Sequence, residues 1–434
     1  MRTRLLALVG LLLALVLAAP QSAASAAGTS RADAATPTVT PYSLLQMNLC
    51  LSGLAGCFGR TQYPKVVDEA IAKVAATQPD VVTLNEACSG DVERIARETG
   101  MDFRFSTVIY NRAELPCRNP GERGVFGNGV LTKRAITAVE DRAFTAQLGA
   151  EERRYICVTT EDGVRVCATH LAVGGNAANA ANNAAQCAEL SAVLAAGAPA
   201  SPLGLAPTIL SGDVNRQGSC ASPGYWTERD SAATQQVGIQ HAYGTAARLL
   251  LPAASVIPMV YTDHDALLVR AVFAPSLAAG IAYVSSVADE LAASGDVQPS
   301  AARNIADLVE AAAVSADAAD YAGTLTALTR LDAYVTAART AKVSADAKSS
   351  LLALLGSWLG APTGVRAFTV QLAAQADAGA VKASTARQLR VLAAGGAYGE
   401  LRTAVASAKP TKVSAAAKQA LLPLVGALVL APKA

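Results

Sequence analysis

Neither of the two greasiest stretches of this 434-residue chain, Leu5–Ala19 and Ala420–Leu430, reaches the roughly 20 apolar residues that a membrane-spanning helix needs, and the second contains Pro423. A transmembrane anchor is therefore excluded as a reading of either. A basic excess is missing too. Net charge is +2, and between Ala27 and Pro275 there are 20 Lys and Arg against 23 Asp and Glu. That balance argues against a protein that holds nucleic acid by general phosphate neutralisation. Aromatic residues are only 5% of the chain, so much of any core must come from alanine and aliphatic side chains. Cysteine is absent from the last 214 residues, and no C-x2-C spacing supports a zinc ribbon. Histidine is scarce, at His170, His241 and His264.

What is present begins with a leader. Arg2 and Arg4 precede the apolar run, and Ala24-Ser25-Ala26 follows it, which is the order of a secretory signal peptide cleaved near Ala26. Residues 27–41 then read as a linker, and the mature protein is expected outside the cell. All eight cysteines fall between Cys50 and Cys220, an even number in an exported chain, which points to disulfides. Two pairings are favoured locally. Cys50 and Cys57 flank a short loop, and Cys157 faces Cys167 across a turn at Glu161-Asp162-Gly163.

Residues 42–274 mix β-like runs with helical ones. Ser43–Met47, Val81–Leu84, Gly129–Thr132, Tyr155–Thr160, Val164–Thr169, Thr208–Leu210 and Ala266–Val272 read as strands. Tyr63–Thr77 and Asn179–Ala196 carry helical spacing. This mixture implies an α/β fold of two layered sheets flanked by helices. After Pro275 the grammar changes to Ala/Leu-rich helix and repeats itself. Residues 293–303 echo 377–387, and Lys342-Val343-Ser344 returns as Lys412-Val413-Ser414. Ser344 and Ser414 are the expected N-caps of repeated helices. Two helical modules, 276–360 and 361–434, are expected to leave the chemistry to the first domain. Their composition resembles the FIMAH-type helical domains of secreted bacterial hydrolases, which implies cell-wall or surface association.

The chemistry-bearing motifs sit at strand ends. In order they are Gln46-Met47-Asn48, Leu84-Asn85-Glu86, Gly127-Asn128, Thr169-His170-Leu171, Gly212-Asp213-Val214-Asn215 and Thr262-Asp263-His264. A phosphodiester is anionic and gains charge on the way to its transition state. Carboxylate and amide oxygens that clamp a hard cation answer that charge, and imidazoles donate hydrogen bonds or move protons.

This ordered set resembles the endonuclease/exonuclease/phosphatase superfamily, which includes pancreatic-type deoxyribonuclease, exonuclease III, bacterial sphingomyelinase and inositol-polyphosphate phosphatases. The resemblance covers residues 42–274 and implies a four-layered α/β sandwich with Mg²⁺, or Mn²⁺ or Ca²⁺, as cofactor. It implies that Asn48 and Glu86 hold the metal with Asp263 nearby. Asp213 and Asn215 would position the water and phosphate, and His170 and His264 would contact the phosphate. Glu151, preferred over Glu152, would orient His170. The family carries an Asp that orients its last histidine, and Gln240 stands in that place here. A Gln supplies an acceptor but no charge, so His264 is expected to act as a neutral donor. His241 is expected to be structural, and Trp226 to belong to the core. The activity implied is hydrolysis of a nucleic-acid phosphodiester by in-line attack of water. The alternatives are a phospholipid or other phosphoester, or a non-catalytic binding protein on the same fold.

Overall fold

The computed structural model describes residues 38–196, 201–231, 237–359, 378–394 and 398–430, with 368, 371–372 and 375–376. The expected signal peptide and residues 27–37 of the linker lie outside the described residues, as do 361–367 of the second helical module. The first strand starts at Thr40.

Two six-stranded sheets lie at the centre. The first runs in the order Leu249–Ile257, Ala266–Phe273, Thr40–Asn48, Val81–Cys88, Phe126–Thr132, Asp102–Thr107. The second runs Tyr225–Arg229, Gln240–Thr245, Thr208–Asp213, Arg165–His170, Arg154–Thr160, Ile136–Ala143. Strand alternation sends every second side chain inward, and Leu44, Val81, Val130, Ile156, Val166 and Ile209 form the core between the sheets.

The outward rows need a cover, and amphipathic helices supply it. Helices Lys65–Thr77 and Ser89–Thr99 lay Val66, Ala70, Val74, Val92 and Ile95 on Leu45, Met47, Val82 and Leu84 of the first sheet. Helix Ala177–Ala195, capped by the Asn176 side chain on Asn179 N–H, lays Leu190 and Leu194 on Leu210 and Tyr243 of the second. The result is the helix–sheet–sheet–helix sandwich that the sequence implied. Four disulfides close within it, Cys50–Cys57, Cys88–Cys117, Cys157–Cys167 and Cys187–Cys220. Both locally favoured pairings are among them.

Beyond Pro275 the chain is helical. Ser276, Ser344 and Ser414 each cap a helix, accepting the N–H of Ala279, Ala347 and Ala417 at 3.0, 3.1 and 3.1 Å. The repeat is physical as well as textual. Gln298 N–H reaches Lys342 O and Ser344 N–H reaches Asp296 O, while Lys382 N–H reaches Lys412 O and Ser414 N–H reaches Ala380 O. Each module thus carries the same small β-clasp, Val297 opposite Val343 and Val381 opposite Val413. Among the described residues, no helix is long and apolar enough to cross a membrane.

The first helical module is not a detached appendage. Leu203, Ala247, Leu250 and Ala274 of the sandwich share one apolar cluster with Ile281, Val284, Leu355 and Trp358. Trp226 sits at this joint. Its indole N–H donates to Leu249 O at 2.7 Å, and it lines a cavity of ≈ 700 Å³ together with Trp358 and Leu352. The first module, expected to leave the chemistry to the sandwich, thus shares part of its core with it. A chain ending at Ala274 re-exposes Leu203 and Leu250, each worth roughly 1.5–3 kcal/mol of burial, so its melting temperature should fall on the order of 10 °C below that of a chain ending at Leu359. Equal melting curves for the two truncations would refute the shared core.

Candidate functional site

Four inward rows change character along their length. Leu44–Gln46–Asn48, Val81–Thr83–Asn85, Val166–Ala168–His170 and Ile209–Ser211–Asp213 each start apolar and end polar. The first two strands are parallel neighbours, as are the last two, so the polar ends gather at one end of the sandwich. Buried polar groups must be paired, and these are. Asn85, fully buried, accepts from Gln46 Nε2 and Asp213 N–H at 2.7 Å each. It donates to Asn128 Oδ1 and Thr169 O at 2.9 Å each. Thr83 and Ser211 hydroxyls meet across the same gap. A Cβ at Gly212 would overlap the Thr169 carbonyl, so only glycine lets these two strands run so close.

Alternation alone would place Glu86 with Val82 and Leu84, facing the helices. A β-bulge prevents this. Leu84 pairs with Gly129 and Ala87 with Gly127, so Asn85 and Glu86 together face Asn128. Glu86 takes φ 51°, the left-handed region, and its carboxylate turns into the site.

There the expected residues converge. Asn48 Nδ2 donates to Glu86 Oε1 at 2.9 Å and to Asp213 Oδ2 at 3.2 Å. His170 Nε2 lies 3.9 Å from Glu86 Oε1, and His264 Nε2 lies 3.6 Å from Asp213 Oδ2 and 3.9 Å from Asp263 Oδ1. Asn215, also at φ 51°, donates its backbone N–H to Asp213 Oδ1 and its amide to Leu171 O. Burial, with the Asp213 charge adding to it against the Asn48 hydrogen bond, pushes the Glu86 carboxyl up to about 7. Burial likewise raises Asp213, against the pull of His264 and the Asn215 N–H. Burial, Arg153 and His264 hold His170 well below the usual imidazole range, so its ring is neutral.

The loop bearing Asp263 and His264 is held from two sides. Thr262 Oγ1 donates to Asn48 O at 2.8 Å, and the Glu69 carboxylate accepts the N–H groups of Val260 and Tyr261. Gln240 lies opposite Asp213 in the sheet and donates its Nε2 to Asp265 O at 2.7 Å. Gln240 Oε1 and His264 Nδ1 are both buried without a hydrogen-bond partner among the described residues. His241 points the other way, with Nδ1 at 2.7 Å from Tyr243 Oη and Nε2 at 2.9 Å from Gly238 O, and is structural.

Glu151 and Glu152 part company. Glu152 pairs with Arg154, which is also bound by Asp141. Glu151 lines a cleft of ≈ 310 Å³ whose floor holds Glu86, His170 and Arg153. Its carboxylate bonds Arg153 Nη2 at 3.2 Å, and no hydrogen bond joins it to His170 among the described residues. Arg153 is the residue that sequence reasoning missed. Its charge acts on both Glu86 and Asp213, and its buried Nη1 has no hydrogen-bond partner among the described residues. Arg153 stands two residues after Glu151, in a charged run of which only a carboxylate is expected at the site.

Two disulfide-tied insertions wall the cleft. Cys50–Cys57 closes the loop carrying Leu54 and Ala55, and Cys88–Cys117 fixes the segment carrying Leu115. Arg123 secures both, donating to Asp91 Oδ2 and Leu51 O at 2.8 Å each while lying 4.4 Å from the Tyr63 ring centre. Cys50 and Cys57 sulfurs lie beside Glu86, but they are bonded to each other and are not metal ligands. Beside the imidazole nitrogens of His170 and His264, the anionic donors are carboxylate oxygens. Two buried carboxylates bridged by one neutral amide are short of positive charge, a donor set that fits a hard divalent cation.

Comparison with known proteins follows this geometry. Among solved structures, an endonuclease/exonuclease/phosphatase from Beutenbergia cavernae is similar, with 18% identity over 54% of this chain and 72% of that one and a TM-score of 0.41. The human Nocturnin catalytic domain shows 15% identity over 55% and 94%, TM-score 0.41. A family protein from Bacteroides thetaiotaomicron shows 12% over 55% and 99%, TM-score 0.39. No curated protein sequence matches the chain. The Endonuclease/Exonuclease/phosphatase family model matches residues 56–277, just over half of the chain and the whole span of the site from Glu86 to His264, and the chain belongs to that family.

Proposed function

We propose that this protein is an exported, divalent-metal-dependent phosphodiesterase that cleaves by in-line attack of water. The observation that carries the reading is the Glu86–Asn48–Asp213 bridge, flanked by His170 on one side and His264 on the other. Glu86, Asn48 and Asp263 would hold the cation, with Mg²⁺ the leading candidate and Mn²⁺ or Ca²⁺ the alternatives. When bound, it supplies positive charge to the phosphate oxygens as P–O bonds lengthen.

The chain's own groups do the rest. Asp213 Oδ2, oriented through Asn215 and Asn85, accepts a proton from the attacking water. Neutral His170 donates its ring N–H to a non-bridging oxygen, and His264 Nε2 does the same from the opposite side. The free N–H of Arg153 adds charge from the cleft floor, while Glu151 fixes that guanidinium in place. Export through residues 1–26 belongs to the same proposal, supported by four disulfides, which suit an oxidising compartment. Association of the helical modules with the cell wall or surface does too. Nucleic acid is the substrate that motif order suggested, and phospholipid or another phosphoester is the second reading.

The decisive experiment is hydrolysis of a chromogenic phosphodiester with Mg²⁺, Mn²⁺, Ca²⁺ or EDTA. Glu86→Gln should lower kcat/KM by about a thousandfold at unchanged folding, as loss of electrostatic stabilisation does. Full turnover in EDTA would refute the mechanism. Metal affinity should also follow pH. A proton on Glu86 competes with the cation, so calorimetric affinity should rise up to about tenfold per pH unit below 7 and level off above it. A profile that stays flat across roughly a pH unit on either side of that value would remove Glu86 from the ligand set. Finally, Gln240→Asp adds a charge next to the Asp265 carbonyl, one residue beyond His264, and should move the pH–rate curve to higher pH. An unaltered curve would place that side chain's influence elsewhere.

A further inference from the structure

The walls of the cleft carry information that the catalytic floor does not. Of the residues lining it, Arg153 is the only cation, and one face of its guanidinium is already committed to Glu151. Against it stand two carboxylates, Glu86 and Glu151. The remaining wall is dominated by Leu54, Ala55, Tyr110, Leu115, Phe126 and Val173. A polynucleotide brings a negative charge with every nucleotide, and a groove built for it offers cations to several phosphates in succession. This cleft serves one phosphate and surrounds it with hydrocarbon.

Leu54 and Val173 sharpen the point. They are 49% and 55% exposed, among the most exposed large aliphatic side chains of the sandwich, and both line the cleft. Single exposed aliphatics need no explanation, but two on the walls of one cleft, with Leu115 and Phe126 buried in the same lining, give the cleft an apolar share that water-facing surfaces lack. Neither is held loosely. Leu54 sits in the Cys50–Cys57 loop, with its N–H bonded to Ser52 Oγ at 3.1 Å. Val173 follows Ala172, whose N–H and carbonyl are tied to Gln186 and Asn183. An apolar surface kept rigid while exposed to water is preorganised for an apolar occupant.

We infer that this site selects phosphodiesters in which one ester group is uncharged and apolar, an alkyl or acyl-bearing alcohol, in preference to nucleotides. The inference rests on the phosphodiesterase reading above. The phosphate would sit between Arg153 Nη1 and the two histidines, and the apolar group would lie along Leu54, Leu115 and Val173.

The test uses three diesters with one p-nitrophenol leaving group and methyl, octyl or thymidine as the other ester, assayed on the full chain with Mg²⁺. The octyl ester should exceed the methyl ester in kcat/KM by roughly tenfold or more, and thymidine should give no such gain. Leu54→Asp and Val173→Asp, both at exposed positions, should bring the octyl-to-methyl ratio towards one. Calorimetry with octyl phosphate against methyl phosphate gives a readout independent of turnover and should show the same preference, lost in both variants. If all three esters are cleaved and thymidine is best, the apolar selection is overturned while the phosphodiesterase stands. If no ester is cleaved but octyl phosphate binds preferentially through Leu54, the selection stands and the hydrolytic reading falls. Equal binding of the two phosphates overturns the inference.

Discussion

One buried amide holds the site together. Asn85 has two donors and two acceptor positions, and all four are used, each on a different strand or neighbour. A sandwich interior is normally dry and apolar, where an unpaired amide costs several kcal/mol. Here the polar patch is fully paired, so it fixes one register of one sheet against the other. Asp213, Thr169 and Asn128 are all placed by that single side chain, and Glu86 is its immediate neighbour in the chain. Asn48, Glu86 and the loop of His264 belong to the first sheet and His170 and Asp213 to the second, and this tie sets the spacing between the two groups.

The bulge at Asn85–Glu86 is the second half of the same device. A regular strand would have sent Asn85 inward and Glu86 outward. The extra residue lets one strand contribute both the inter-sheet tie and a carboxylate that faces the site. No side-chain pattern in Thr83-Leu84-Asn85-Glu86 announces a bulge, which is why the motif was legible and its geometry was not.

The same distinction runs through the fold. All seven strands read from the sequence are interior strands, with partners on both edges. The strands not read include all four sheet edges, Leu249–Ile257, Asp102–Thr107, Tyr225–Arg229 and Ile136–Ala143. Ile136–Ala143 shows the reason. Its burial is almost entirely exposed, and Glu140, Asp141 and Arg142 sit in its middle, charges that protect an open edge and mask its β character. Gln240–Thr245, an interior strand, was glimpsed only through Gln240 because His241 and Gly244 dilute its pattern. At the site, His170 and His264 are legible as two of three histidines, and Asp213 and Glu86 as carboxylates at strand ends within short motifs. Arg153 and Asn85 belong to types that are common everywhere, and only their burial marks them. The docking of the first helical module was equally hidden, since Leu203, Ala247 and Leu250 look like ordinary core residues until the helix that covers them is known.

The insertions that wall the cleft are braced against each other. Arg123 ties residue 51 of one to its own segment and to Asp91 of the helix behind, without touching Glu86 or Asp213. The same wall is also fastened to the floor, since Leu51 N–H donates to Glu86 O at 2.8 Å and Cys50 N–H to Asn48 Oδ1 at 3.2 Å. A change of shape in the Cys50–Cys57 loop is therefore transmitted straight to Asn48 and Glu86, so that the outline of the cleft and the pitch of its floor are tuned together.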